Sequence, residues 1–354
     1  MDGAFTTLVA GALGGSAFRL LDIGCSGGLD PRWRAFGARL QAIGIDASRG
    51  ECARLAKAEQ LAGVEYVPAF AAGVAGRRIE KPDRQASPLI LAVRERLSFM
   101  RTREIRAARL AKAEIEEKLR HNAWEMTELA DQDKAVLVPD LVAARGWTDF
   151  DYLKIDIDGS DYEVLRTFDG KLAPAGVLGV QLEVNFVGTT NDSDHTFHNT
   201  DRFMRRQGYE LLRLDVRNYS ARALPGRYVW PTPAETLFGR PFQGEAWYAR
   251  DFEGATLEPS KLLKLAAIYA AIGVPDMAAE LLLKRRAELG GLDIDRALDL
   301  LAAQVQPDRL RKLDYRSYMR HFEADPPHFY RREGDYSWAE RFAAAWSAFR
   351  KPRR

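Results

Sequence analysis

Cysteine and histidine are scarce: a chain of 354 residues holds 2 and 5 of them. Cys25 and Cys52 cannot build a disulfide framework or a zinc cluster, and their scarcity suits a reducing compartment. An excess of charge of either sign is also lacking. With 52 Lys plus Arg against 50 Asp plus Glu the net charge is +2, so no global attraction to nucleic acid or to an anionic membrane is built in, and neither is an expected partner. No apolar run reaches the roughly 18 residues that a membrane helix requires. The apolar opening, Gly3 to Ala17, lacks a basic leading region, carries Asp2 beside it and runs within a few residues into a strand. The expectation is therefore a cytoplasmic chain rather than an exported one. What the sequence does have is 46% hydrophobic and 10% aromatic residues. That is ample for packed cores, excludes a disordered or fibrous chain, and at about 150 residues per domain suggests two domains.

From Arg19 onward, short apolar runs alternate with helical stretches, the pattern of a parallel sheet covered by helices. The expected strands are Phe18 to Ile23, Leu40 to Asp46, Val64 to Pro68, Asp151 to Asp156, Gly176 to Val184, Tyr209 to Val216 and Glu245 to Arg250. Asp30 is placed to cap a short helix with Pro31 at its first position. Ser48 to Leu61 reads as helix, as does Asn199 to Gln207 before Gly208. Ser160 and Glu163 have the spacing of a capping box at the start of a helix ending near Phe168. Between the third and fourth strands the alternation stops, and residues 77–135 read as a helical insertion. Within it, Leu97, Met100, Ala108, Ala111, Ile115 and Leu119 make the apolar stripe of an amphipathic helix over Arg94 to Arg120. Arg217 to Gly244, with Tyr219, Tyr228, Trp230, Phe238 and Phe242, reads as a long ordered loop. Past Glu258 only helical patterns remain, Ser260 to Ile272 and Met277 to Leu289 around a Gly-Val-Pro-Asp turn. The expected organisation is a catalytic domain over residues 1–255 and a helical region over residues 256–354.

The chemistry concentrates where the first strand turns, at Asp22-Ile23-Gly24-Cys25-Ser26-Gly27-Gly28. Glycines there let the backbone approach a nucleotide-like ligand closely. Two acids narrow the ligand. Asp22 precedes the glycines, where a carboxylate repels a pyrophosphate but favours an aminoacyl ammonium. Asp46, followed by Ala47, closes the second strand, where a carboxylate can accept both ribose hydroxyls. An adenosine joined to an amine, as in S-adenosylmethionine, satisfies both. Cys25 is expected to pack or to lend its backbone rather than to react. Phe70, just past the third strand, is the candidate adenine contact.

The sequence resembles the FkbM-type S-adenosylmethionine-dependent methyltransferases. The resemblance rests on DIGCSGG at Asp22 to Gly28, GIDAS at Gly44 to Ser48, DFDYLKIDIDGSDYEVLRTF at Asp149 to Phe168 and GVQLEVNF at Gly179 to Phe186. It covers about Arg19 to Phe252. It implies an α/β, Rossmann-like seven-stranded sheet whose last strand is inserted antiparallel, and methyl transfer to a hydroxyl, often on a sugar or natural product. The departure is Ser26, where many relatives have glycine; serine is small enough to keep the turn.

Asp156 and Asp158 stand at the carboxyl end of the fourth strand, where ligands bind in open α/β sheets. Methyl transfer requires alignment of the acceptor and removal of its proton. Asp156 is the candidate for that proton, Asp158 for a neighbouring hydroxyl or a helix cap, and Lys154 for their ion-pair partner. Glu183 and Asn185 end the adjacent strand. His195, with His198 close behind in the polar stretch from Thr189 to Thr200, is a candidate proton acceptor because imidazole titrates near neutrality. The oxygen-rich set could also hold Mg²⁺, although no metal is expected. The competing class is a glycosyltransferase using Asp156-x-Asp158 to hold a metal and a nucleotide sugar; a third is a scaffold protein with a degenerate donor site.

Overall fold

The computed structural model describes residues 3–76, 88–97, 135–157, 159–227, 229, 235–254, 256–306 and 312–324. Backbone contacts divide the chain into two units, residues 15–257 and residues 1–14 with 258–354.

The larger unit is built on a seven-stranded sheet: β1 (Phe18–Ile23), β2 (Leu40–Asp46), β3 (Val64–Pro68), β4 (Tyr152–Ile155), β5 (Gly179–Asn185), β6 (Tyr209–Tyr219) and β7 (Arg240–Arg250). Their spatial order is β3-β2-β1-β4-β5-β7-β6. The first five run parallel, and β7 lies antiparallel between β5 and β6. All seven expected strands are present. The loop expected over Arg217 to Gly244 is shorter, because β6 and β7 pair as far as Tyr219 and Arg240.

Side chains alternate between the two faces of a strand. Leu21, Ile23, Leu153, Ile155, Leu182, Val184, Ala246 and Tyr248 share one buried apolar cluster with Tyr162, Val164, Phe203 and Met204. The last four belong to the helices α6 (Asp161–Arg166) and α7 (Phe197–Arg206), so this face carries the core. The opposite face of β1, β4, β5 and β7 carries the polar residues Asp22, Lys154, Gln181, Glu183 and Glu245, beside the buried Leu20, Tyr152 and Trp247. Cross-strand register sets Asp22 opposite Lys154, and Lys154 opposite Gln181.

Among the described residues of this unit, further α-helices precede those two. In α2 (Pro31–Arg34) the Asp30 side chain accepts from the Arg32 amide, with Pro31 at the first position, as the sequence predicts. In α3 (Arg49–Ala58) Ser48 caps by accepting from the Glu51 amide. The helix α4 (Pro88–Arg96) ends where Leu97 bridges Ala221, and α5 (Val138–Ala143) leads into β4. Of the amphipathic helix expected over Arg94 to Arg120, everything past Leu97 lies outside the described residues, as does most of the 77–135 insertion. The expected capping box at Ser160 is not formed: Ser160 stands at the N-cap without a side-chain bond to the helix. Its place is taken by Asp161.

The smaller unit is helical: α8 (Pro259–Ala271), α9 (Pro275–Lys284), α10 (Ile294–Val305) and α11 (Tyr315–Ala324). The sequence reading stops at the first pair. From Leu262 to Ala271 every residue of α8 is buried, which explains its nearly continuous apolar composition. The chain's first helix, α1 (Ala4–Ala12), groups with this unit. A boundary at residues 1–255 instead places it with the sheet. No described helix is long and apolar enough to cross a membrane.

Candidate functional site

Backbone geometry at the end of β1 explains the glycines. Gly24, Gly27 and Gly28 all have positive φ, 87°, 83° and 93°, a region that side-chain-bearing residues rarely adopt. At Gly24 space matters as much as φ. A Cβ there would fall 1.7 Å from the carbonyl oxygen of Asp156. At Gly27 a Cβ would meet nothing within 4 Å, so this part of the loop faces open space. The Gly24 amide donates to the Ile45 carbonyl at 2.8 Å and that of Cys25 to the same oxygen at 3.2 Å, tying the loop to β2. Cys25 is buried and its thiol hydrogen-bonds to that of Cys52. The bond and burial both push its pKa up, and its side chain is packed in the core. Ser26 is exposed at the tip of the turn.

Asp22 sits beneath this loop with 2% of its surface exposed. The sequence reading turns its carboxylate toward a ligand's ammonium; in the structure Oδ1 accepts from Lys154 Nζ at 3.1 Å. Nζ also donates to the Gly24 carbonyl at 3.2 Å and lies 3.6 Å from Asp156 Oδ2. Burial raises the Asp22 pKa to about 6 against the pull of Lys154. At Lys154 the balance reverses: Asp22 and Asp156 outweigh burial and hold the ammonium protonated. Lys154 is thus the ion-pair partner the sequence suggests, and it joins the glycine loop to the acceptor-side acid.

At the end of β2, Asp46 Oδ1 accepts from the Ser48 amide at 2.8 Å, and Ala47 lies between them, half-buried. Phe70 follows β3, half-buried, its carbonyl accepting from the Val136 amide at 2.9 Å. The Ala69 amide donates to the Asp46 carbonyl at 2.8 Å, so these two loops run side by side. A residue that sequence reasoning missed is Glu51, 1% exposed, whose Oε1 accepts from the Gly27 amide at 2.9 Å. Its signal was the Ser-x-x-Glu spacing from Ser48. Only half of a capping box forms there, because Asp46 already serves the Ser48 amide and the glutamate reaches back to the glycine loop.

On the acceptor side, the Asp156 amide donates to the Ile23 carbonyl at 2.8 Å, and its carboxylate is 40% exposed. Its charge is felt at Asp22, Asp161 and Glu245. Asp158 lies outside the described residues. Glu183 Oε1 accepts from Gln243 at 2.9 Å, and Arg217 stands 3.9 Å from Oε2. Directly across the sheet, Glu245 accepts from Gln181 at 3.1 Å and pairs with Arg217 at 3.4 Å. Burial raises its pKa. Glu183 is therefore held in a network with β6 and β7. The Nε2 of His195 lies 2.8 Å from the Glu183 carbonyl, which can only accept, so this nitrogen carries the proton. Nδ1 faces Asn185 Nδ2 at 3.4 Å and Asp161 Oδ2 at 3.8 Å. The ring has both nitrogens engaged by protein. Among the described residues no group of three or more His, Cys, Asp and Glu could hold a metal. Tyr219 and Phe242 stack edge to face at 5.3 Å in a buried cluster, whereas Tyr228 and Trp230 lie outside the described residues.

Residues 125–211 match the family model described as the methyltransferase FkbM domain. The chain is similar to that family over these residues. The match spans β4, β5, Asp156, Asp161, Glu183 and His195. No curated protein sequence matches the chain. Among solved structures it is similar to an S-adenosylmethionine-dependent methyltransferase from Aquifex aeolicus: 8% identity over 70% of this chain and 88% of that one, TM-score 0.29. It is also similar to precorrin-6y C5,15-methyltransferase from Geobacter metallireducens: 12% identity, 70% and 86% covered, TM-score 0.31. A third is magnesium protoporphyrin IX methyltransferase from Synechocystis: 9% identity, 70% and 80% covered, TM-score 0.28. The protein is a methyltransferase.

Proposed function

We propose that the protein transfers a methyl group from S-adenosylmethionine to a hydroxyl of a sugar, glycan or natural-product-like small molecule. The observation that carries this reading is the contact between Gly24 and Asp156. The backbone of the donor loop rests on the carbonyl of the acceptor-side acid, and Lys154 bridges both.

Asp46 would hold the ribose hydroxyls, Phe70 and Ala47 would flank the adenine, and the turn from Gly24 through Cys25 and Ser26 to Gly27 would receive the aminoacyl end. Bound there, the donor supplies an electrophilic methyl group on a sulfonium. What remains for the chain is to align the acceptor and take its proton. Asp156 is the exposed carboxylate beside the loop, and it takes the hydroxyl proton. Lys154 stands 3.6 Å from it, a fixed cation beside the carboxylate. Asp22 works through Lys154, supporting the cation that holds the Gly24 carbonyl. Glu183 and Asn185 end β5 with polar groups that suit an acceptor rich in hydroxyls.

Calorimetry with S-adenosylhomocysteine, set against a uridine diphosphate sugar with Mn²⁺, tests the class: binding of only the second sinks the reading in favour of glycosyl transfer. Methyl-labelled donor incubated with a small-molecule cell extract, followed by mass spectrometry of the labelled product, identifies the acceptor. A product methylated on nitrogen or carbon would overturn the hydroxyl assignment.

A further inference from the structure

The peptide that follows Asp156 is held from two sides. Its carbonyl lies against Gly24, and its amide, that of Ile157, donates to Asp161 Oδ1 at 2.9 Å. The other carboxylate oxygen, Asp161 Oδ2, accepts from the Gly159 amide at 3.0 Å. Asp161 is fully buried, and a buried carboxylate is costly unless its oxygens are satisfied. Here two backbone amides and the His195 ring, with Nδ1 3.8 Å from Oδ2, surround it. His195 in turn donates from Nε2 to the Glu183 carbonyl in β5. The chain of contacts runs from the loop after β4, through Asp161 and His195, to the neighbouring strand.

We propose that Asp161 and His195 are positioning residues: the buried carboxylate holds the Ile157 and Gly159 amides, the imidazole beside it holds the end of β5, and together they fix the direction of the Asp156 carboxylate. Neither touches the reacting atoms. Asp156 projects from the junction of two peptides, one bonded to Ile23 and the next to Asp161, and loss of the second lets its side chain swing. Because a misplacement of about 1 Å can cost on the order of a hundredfold in rate, the clamp acts on turnover and not on donor binding. This inference rests on the reading of Asp156 as the proton acceptor.

The test uses the full chain, tritiated methyl donor and a small-molecule cell extract as the acceptor source. Asp161→Asn replaces one accepting oxygen with a donor, leaving at least one of the two loop amides without a partner. The maximal transfer rate is expected to fall at least tenfold, while donor KM and the Kd of S-adenosylhomocysteine stay within twofold. Amide hydrogen exchange at Ile157 or Gly159 is expected to speed up at least tenfold, with β1 and β4 protection unchanged. His195→Gln, which keeps a donor for the Glu183 carbonyl, is expected to retain at least five times the rate of His195→Ala, and this comparison decides if Asp161→Asn fails to fold. Full-rate transfer by Asp161→Asn, a parallel loss of rate and donor affinity, or equal rates for the two His195 variants would each overturn the clamp. Asp156→Asn separates the two claims: if it transfers at full rate the parent reading fails, whereas an inactive Asp156→Asn beside a fully active Asp161→Asn defeats the clamp alone.

Discussion

Asp156 and Gly24 face each other across the junction of β1 and β4, and each makes a separable prediction. Asp156→Asn keeps the shape and removes the base; general-base removal typically costs 10² to 10⁴ in rate, so transfer is expected to fall at least about a hundredfold with S-adenosylhomocysteine affinity within twofold, read by calorimetry. Gly24→Ala puts a methyl group 1.7 Å from the Asp156 carbonyl oxygen, so β1 and β4 must part at their ends. Donor binding is expected to vanish from the calorimeter and the melting temperature to fall. Asp46→Ala should weaken the donor while leaving the melting temperature within a few degrees. The turn at Gly24 and the strand ends at Asp46 and Asp156 were legible in the sequence because glycine and a strand-end acid act locally on the backbone. The engagement of His195 was not: its ring nitrogens meet a carbonyl twelve residues away and a carboxylate on another helix, and no spacing rule announces such contacts.

Among the elements, α3 shows how a helix start reaches beyond its own cap. Ser48 caps it, and Glu51 leaves the first turn to hold the Gly27 amide. A hydrogen bond to a charged group contributes about 1.5–3 kcal/mol. Glu51→Ala is therefore expected to weaken S-adenosylhomocysteine about tenfold, or about 1.4 kcal/mol, by loosening the glycine turn; unchanged affinity would remove Glu51 from the site. The helix α6 taught the opposite lesson. Ser160 and Glu163 have capping-box spacing, yet the work at that helix start is done by Asp161, because the preceding loop presents two free amides that a carboxylate can take together. The strands were read closely because alternation of apolar and polar residues is set by the pleat. Their ends were not: β6 and β7 extend each other by pairing, a gain that neither segment shows alone.

For the whole molecule the pH response of the sheet unit is distinctive. Asp22 has an ordinary pKa of 3.8 and is raised to about 6 in the fold. The folded state thus holds its proton more tightly than the unfolded chain. Stability from this group is fully present below pH 3.8 and is lost as pH rises through 6, an effect of about 3 kcal/mol. Melting between about pH 4 and 7 should show a decline with rising pH that Asp22→Asn abolishes; an identical slope in the variant would show that Lys154 fully compensates the buried charge. The loss of the strand pattern past Glu258 suggests a helical region, but nothing local shows that α1 groups with it, since an apolar helix at the start of a chain packs equally well against a sheet or a helix.

The alternation of strands and helices, the glycine turn, the strand-end acids and the capping of α2 follow from the sequence by itself, because each depends on residues within one or two turns of backbone. Which charges meet was decided only by the tertiary structure. Asp22 and Lys154 are 132 residues apart, and only the register of β1 against β4 sets them opposite each other. The acid that reads as a ligand's counter-charge thereby finds its cation within the chain, as Coulomb attraction in a buried site requires.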